Sequence, residues 1–169
     1  ISDCRIKKTR LFYTDKSFFM NWLKADLKAL VAKAKKDGYG VSARLNCTSD
    51  IDWVATGIMN EFPEIQFYDY TKDFSRMLKP QAPNYHLTYS VDERAVTKIN
   101  AATALNSGKN VAMVFNVKDE SELPSEYMGF PVINGDEHDL TFLHGSGVIV
   151  GLKAKGKAKR DNSGFVIQL

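Results

Sequence analysis

The sequence predicts an α/β fold, as a partial βα-barrel or an open, mostly parallel sheet that forms one domain over residues 1–169. Six short apolar segments recur with starts 17 to 25 residues apart, and several of the stretches between them have a helical pattern. Strands that alternate with helical patterns are typical of βαβ units and parallel sheets. One segment is a nearly continuous run of β-branched and aromatic residues, which is typical of a strand buried on both faces. The segments are residues 41–46, 65–68, 86–90, 111–116, 131–134 and 148–152.

The first predicted element is a helix that Asp15 or Ser17 can cap and that Gly38 can end. Its apolar residues follow the i, i+3, i+4, i+7 spacing of one helix face, and lysines occupy the rest of its surface. We interpret the lysine face as a solvated exterior rather than a nucleic-acid surface. The apolar stripe consists of Phe19, Trp22, Leu23, Leu27, Leu30, Val31 and Ala34.

Strands and short helices are expected to alternate after this helix. The short helix should end before Pro63, because proline disfavours the helical conformation of the residue that precedes it. The predicted order is a strand at 41–46, a short helix at 53–61, a strand at 65–70, a loop with at most one helical turn at 73–84 and a strand at 85–90.

A second amphipathic helix is predicted over residues 93–106, with Asp92 as its cap and Gly108 after its end. After a strand at 111–117 the chain becomes rich in loops over 118–147. Strands at 148–152 and 165–169 follow, the last at an edge of the sheet. The inward-facing residues expected on the helix are Ala95, Val96, Ile99, Ala102 and Leu105.

The composition is that of an ordinary soluble globular protein, with 44% hydrophobic and 25% charged residues. A net charge of +3 is too small to indicate nucleic-acid binding by itself. The two cysteines cannot build a disulfide framework, and no membrane span or signal peptide is visible, so we expect a location in the cytoplasm of the host cell. The chain begins with Ile1 rather than methionine, and we expect it to be processed or to be the C-terminal part of a longer protein.

Polar residues follow most of the predicted strands, where ligands bind in parallel sheets and barrels. Arg44, Asn46 and Thr48 alternate on one face of the first strand. Asp50 can contact a ligand, although capping of the next helix is the favoured interpretation. Arg44 and Asn46 are harder to explain as caps and are therefore candidate ligand-binding residues, and Asn116 is another, at the end of its strand.

Acidic and basic side chains meet at three further strand ends. Asp69 and Lys72 can hold a phosphate or form a structural ion pair. Asp136 and His138 belong to a dense polar cluster that suits proton transfer, and its spacing matches no standard short zinc signature, so no metal site is predicted. The basic segment that follows the strand at 148–152 can bind phosphate or form a solvated hairpin, and it contains Lys153, Lys155 and the basic residues up to Arg160. Cys47 is expected to be a buried, inert thiol.

Five motifs together resemble an uncharacterised family of phage and prophage proteins, and the similarity extends over nearly the whole chain. The resemblance implies a Cys-rich segment upstream and, by analogy, a βα-barrel like that of radical-SAM proteins, with an iron–sulfur cluster only if that segment is present. The two cysteines of this chain cannot supply such a cluster themselves. The motifs are residues 44–50, 66–72, 84–88, 131–139 and 151–158.

The prediction drawn from these residues is an enzyme that acts on a phosphate-bearing or nucleotide-like ligand at the carboxyl ends of the strands. Lys72 and Lys153 would neutralise phosphate, Asp69 would orient a lysine, and His138 with Asp136 would transfer a proton. One alternative is a non-enzymatic phage accessory module that binds nucleic acid or a host protein through the basic helix and residues 153–160. A virion or scaffold component is the other alternative, with an exposed apolar patch as its assembly contact.

Overall fold

The computed structural model describes residues 2–169 and contains five α-helices and eight strands within that part of the chain. The helices are α1 (Ser2–Thr14), α2 (Lys16–Asp37), α3 (Ile58–Glu61), α4 (Phe74–Leu78) and α5 (Ala95–Asn106). The strands are β1 (Ser42–Ala43), β2 (Gln66–Thr71), β3 (Tyr85–Ser90), β4 (Val111–Phe115), β5 (Glu126–Tyr127), β6 (Phe130–Asn134), β7 (Ile149–Lys153) and β8 (Val166–Ile167).

The strands form an open, mostly parallel sheet in the order β1-β2-β3-β4-β7-β6-β5, and β8 pairs with β4 beside this path. Only the β5–β6 hairpin is antiparallel among the pairings given for the described residues. The order has two ends, at β1 and β5, so the open-sheet form of the predicted α/β fold is confirmed. The closed barrel inferred by analogy with radical-SAM proteins finds no support.

Two compact units divide the chain. The first contains the described residues up to Phe67 together with Ala82–Tyr85, and the second contains Tyr68–Gln81 and His86–Leu169. The expectation of a single domain over the whole chain stays a prediction.

In the first unit, α1 and α2 are joined at Asp15, whose carboxylate accepts a hydrogen bond from the Phe18 N–H. The helix α2 ends at Gly38, which has a φ of +74° and so adopts the left-handed conformation that other residues rarely take. Both predicted ends of this helix are therefore confirmed. No element was predicted for residues 1–14, where α1 lies, and the strand predicted over 41–46 is reduced to the two residues of β1.

In the second unit, β4 is the central strand, paired with β3, β7 and β8. Its residues Val111, Met113 and Phe115 are buried almost completely, as the continuous apolar run predicted. The predicted edge strand at 165–169 pairs with β4 over two residues, next to the point where β3 ends.

The buried face of the helix α5 shares only Leu105 with the face that was predicted. Thr97, Ala101, Ala104 and Leu105 are buried, whereas Val96 and Ile99 are exposed. The Thr97 hydroxyl donates to the Arg94 carbonyl oxygen and can therefore be buried without loss of a hydrogen bond. The predicted cap is also wrong, because the Asp92 carboxylate binds the Arg94 guanidinium and the helix begins without a side-chain cap.

Candidate nucleic-acid interface

Positive charge is concentrated in the first two helices. Residues 1–37 contain ten lysines and arginines and four aspartates, a net charge of +6, so the remaining 132 residues carry a net charge of −3. The total of +3 therefore conceals a basic helical pair followed by a mildly acidic remainder. Such a concentration of one sign attracts polyanions more strongly than the net charge suggests.

Aromatic rings hold the two helices against the loop that follows β1. The Phe12 ring lies edge-on to Phe19 and to Trp53, with centroid distances of 5.5 and 5.3 Å. Phe19 also stacks on Trp53, at 6.3 Å between centroids. Phe12 and Trp53 are almost fully buried, so this cluster fixes one wall of a depression in the first unit.

Asn46 organises the loop between residues 46 and 53, which supplies further lining residues of the depression. Its side-chain oxygen accepts hydrogen bonds from the Ser49 hydroxyl, the Ile51 N–H and the Trp53 indole, at 2.9 to 3.0 Å. Its amide group donates to the Ile51 carbonyl at 2.9 Å. A buried asparagine used in this way fixes the loop and directs Thr48 and Ser49 toward α1, where both line the depression.

Two adjoining cavities, which we call the basic groove, lie between α1, α2 and this loop. The inner cavity is about 320 Å³ and the outer about 640 Å³, and they share Arg5, Thr9 and Thr48. The outer cavity is further lined by Ile6, Arg10 and Tyr13. The inner cavity is further lined by Lys8, Phe12, Phe19, Leu23, Arg44, Leu45, Cys47, Ser49, Ile51 and Trp53.

The cations of the groove include several without a carboxylate partner. Among the described residues, neither Arg5 nor Arg10 forms an ion pair, whereas Lys24 on α2 binds Glu61 at 2.8 Å. The Lys8 ammonium lies 5.3 Å from the centre of the Trp22 ring, which leaves its charge available to an anion. Cations, hydroxyl groups and aromatic walls in one depression suit a phosphate-bearing ligand with flat rings.

The predicted site residues of the first unit are distributed over this groove. Arg44 lines the inner cavity, Asn46 supports its wall, and Asp50 is exposed and is not among the lining residues. Cys47 lines the cavity and is exposed, so the prediction of a buried thiol is wrong. The sequence interpretation missed α1, although Arg5, Lys8 and Phe12 follow the i, i+3, i+7 spacing of one helix face.

In the second unit, the predicted phosphate-binding lysines are paired with carboxylates. The Lys153 ammonium binds Glu120 at 2.5 Å, and the Lys155 ammonium binds Asp136 at 2.7 Å. Asp136 also accepts a hydrogen bond from the Lys153 N–H at 2.8 Å. Burial opposes ionisation of Asp136, but the hydrogen bonds from Lys155 and the Lys153 N–H together hold its pKa below the ordinary value. These contacts are those of a structural ion-pair network at the carboxyl end of β7.

The His138 ring contacts His144, and the Asp136 carboxylate binds the Lys155 ammonium and the Lys153 N–H. The two histidine rings stack, with centroids 4.9 Å apart and planes 8° apart. His144 in turn lies near His86, whose pKa is lowered to about 4 by burial and, to a smaller extent, by His144 and Lys109. Among the described residues, no three His, Cys, Asp or Glu side chains are arranged to hold a metal ion.

Asn110 lies beside the partly buried His86 ring. Its side-chain oxygen accepts from the Val148 N–H at 3.2 Å, so its amide nitrogen is the atom 3.5 Å from His86 Nε2. That amide nitrogen also donates to the Gly145 carbonyl at 2.7 Å. This arrangement suits a His86 ring whose Nε2 accepts and which is neutral, in keeping with its lowered pKa.

The remaining predicted residues of the second unit are Asp69, Lys72 and Asn116. Asp69 is fully buried in β2, and the exposed Lys72 places its ammonium 6.0 Å from the centre of the Phe165 ring. The exposed Asn116 donates to the Gln168 side chain at 2.6 Å. The roles assigned to the ten predicted site residues stay predictions, and those residues are divided between the two units.

A family model described as Gene product 88 matches the chain over residues 1–169. No curated protein and no solved structure matches it. No helix in the described part of the chain is long and apolar enough to cross a membrane.

Proposed function

The chain belongs to the Gene product 88 family of phage gene products, and from that premise we propose that it binds nucleic acid through the basic groove. The observation that carries the proposal is the convergence of Arg5, Lys8, Arg10 and Arg44 on one depression with aromatic walls. Phosphate contacts from arginine and lysine supply most of the affinity of such interfaces.

The charge distribution supports the same proposal. With a net charge of +6, residues 1–37 would attract a polyanion over a distance of about one Debye length, roughly 8 to 10 Å at moderate salt. The rest of the chain is net negative and would add nothing to this attraction. Long-range attraction of this kind raises the association rate and falls as salt is added.

The contacts of the second unit favour the binding function over phosphate chemistry there. Lys153 and Lys155 would have to leave Glu120 and Asp136 before they could neutralise a phosphate. His138 and Asp136 contact different partners, so the proton-transfer pair would also have to rearrange. The groove cations Arg5 and Arg10 require no such exchange, since neither forms an ion pair in the described residues.

The test compares two triple variants that remove the same charge from different places. Arg5→Gln/Lys8→Gln/Arg10→Gln should weaken binding to a labelled oligonucleotide at least tenfold at about 100 mM salt, because three phosphate contacts are lost. The measurement is fluorescence anisotropy, with circular dichroism to verify that the variant folds.

The matched control is Lys157→Gln/Lys159→Gln/Arg160→Gln, which removes three exposed positive charges from the second unit. It should change the affinity less than threefold. Equal weakening by both variants would mean that only total charge matters, and a wild-type protein that binds no oligonucleotide would refute the proposal.

A further inference from the structure

Large aromatic rings are exposed on the two basic helices. The exposed fractions are 72% for Tyr13, 58% for Phe18 and 41% for Trp22. Phe18 and Trp22 are four residues apart on α2 and therefore lie on the same side of that helix. Exposure of this much aromatic surface within one helical pair requires an explanation beyond packing.

One of these rings, Tyr13, lines the basic groove, and another, Trp22, borders it through a contact with a groove lysine. Tyr13 lines the outer cavity together with Arg5 and Arg10. Trp22 lies under the Lys8 ammonium, and Lys8 itself lines the inner cavity. A ligand in the groove would therefore meet its cations and the Tyr13 ring, and a ligand that extends past Lys8 would reach Trp22.

We infer that the groove takes single-stranded rather than duplex nucleic acid, an inference that rests on the proposed function. The phosphate backbone would lie along Arg5, Lys8 and Arg10, and bases would stack on Tyr13 and Trp22. In a duplex the base faces are covered by neighbouring bases, so only a single strand can offer them to a ring. Loss of one stacked base by alanine substitution typically weakens binding roughly 5- to 150-fold.

The shape of the groove also favours a flexible single strand. The inner cavity is about 320 Å³ and has the nearly buried rings of Phe12 and Trp53 in its wall. A duplex is too wide to enter such a space, whereas a single nucleotide of a flexible strand can enter it. Sequence-independent recognition would follow, because every base has a stacking face.

The experiment measures the affinity of the full chain for a labelled 16-nucleotide oligo-dT strand and for a hairpin duplex of equal charge at the same salt. The single strand should bind at least tenfold more tightly. Tyr13→Leu/Trp22→Leu, which keeps apolar bulk but removes the rings, should reduce this preference to less than threefold while leaving the salt dependence unchanged. The matched control is Tyr39→Leu, because Tyr39 is 77% exposed, lines neither cavity and, unlike Trp22, has no groove lysine over its ring in the described part of the chain.

The outcomes separate the inference from the proposed function. The duplex could bind as tightly as the single strand or more tightly, and Arg5→Gln/Lys8→Gln/Arg10→Gln could still abolish that binding. This result would overturn the inference and leave the proposed function intact. Absence of binding to either oligonucleotide would overturn both, and binding to vesicles of phosphatidylserine and phosphatidylcholine instead would assign the basic aromatic surface to lipid. If the leucine variant fails to fold, fluorescence quenching in the wild type decides the same question. Oligo-dT should quench the Trp22 fluorescence and the hairpin should not. The quenching should be lost in Trp22→Phe.

Discussion

The side chain of Asn46 ties the loop between residues 46 and 53 together from a buried position. From the sequence alone, a polar residue just after a strand can equally well bind a ligand or have a structural role. The side-chain oxygen accepts from three donors, which supports a structural role, while the ligand-binding role stays a prediction. Asn116, predicted for the same purpose, is exposed and bonds the Gln168 side chain.

Replacement of Asn46 should therefore cost much more stability than replacement of Asn116. Asn46→Ala leaves the Ile51 N–H and the Trp53 indole without their acceptor, and should lower the free energy of unfolding by about 2–3 kcal/mol. Asn116→Ala should cost less than about 0.5 kcal/mol. Urea unfolding of both variants measures the difference, and equal small losses would show that Asn46 does not organise the loop.

Histidine 86 gives the second unit a defined response to acid. Its pKa in the folded protein is about 4, below the ordinary 6.5, so the unfolded chain takes up the proton first as the pH falls. The stabilisation is fully present above about pH 6.5 and is lost as the pH falls toward 4. The groups that face this histidine are Asn110, Lys109 and His144.

Between pH 7.5 and 4.5 the wild-type protein should lose about 1–2 kcal/mol more unfolding free energy than His86→Gln. This expected difference in unfolding free energy is smaller than the full pKa shift would give, because the ring is partly exposed to solvent. Comparison with the variant removes the contribution of the carboxylates, which also titrate near the lower pH. Identical losses in the two proteins would mean that His86 is not held neutral by its surroundings.

At the scale of the element, the residues that were predicted correctly carry strong local signals. The run at 111–117 became β4, and the capping and left-handed residues Asp15 and Gly38 delimit α2. These signals depend on neighbours in sequence, so the sequence alone contains them.

The elements that were predicted wrongly depend on what packs against them. In α5 the small residues Thr97, Ala101 and Ala104 are buried in place of the larger Val96 and Ile99. Because small residues let a helix approach its neighbour closely, the choice of face is made by tertiary packing and not by hydrophobicity alone. The pairing of Lys153 with Glu120 was likewise invisible, since 33 residues separate the two in the chain.

The whole molecule separates its charges in a way that its total charge does not reveal. The value of +3 suggested little about nucleic acid, whereas residues 1–37 carry +6 and the remainder −3. The candidate site consists of residues from that basic segment and from the loop that Asn46 organises. The carboxyl-end residues that the sequence favoured are mostly engaged with partners inside the second unit.

The most direct test of nucleic-acid binding through the basic groove is the slope of log affinity against log salt concentration for a single strand of mixed sequence. Four phosphate contacts, from Arg5, Lys8, Arg10 and Arg44, predict a slope of about −3 for the wild type and about −1 for Arg5→Gln/Lys8→Gln/Arg10→Gln. A wild-type slope near zero, or the same slope in both proteins, would contradict the account.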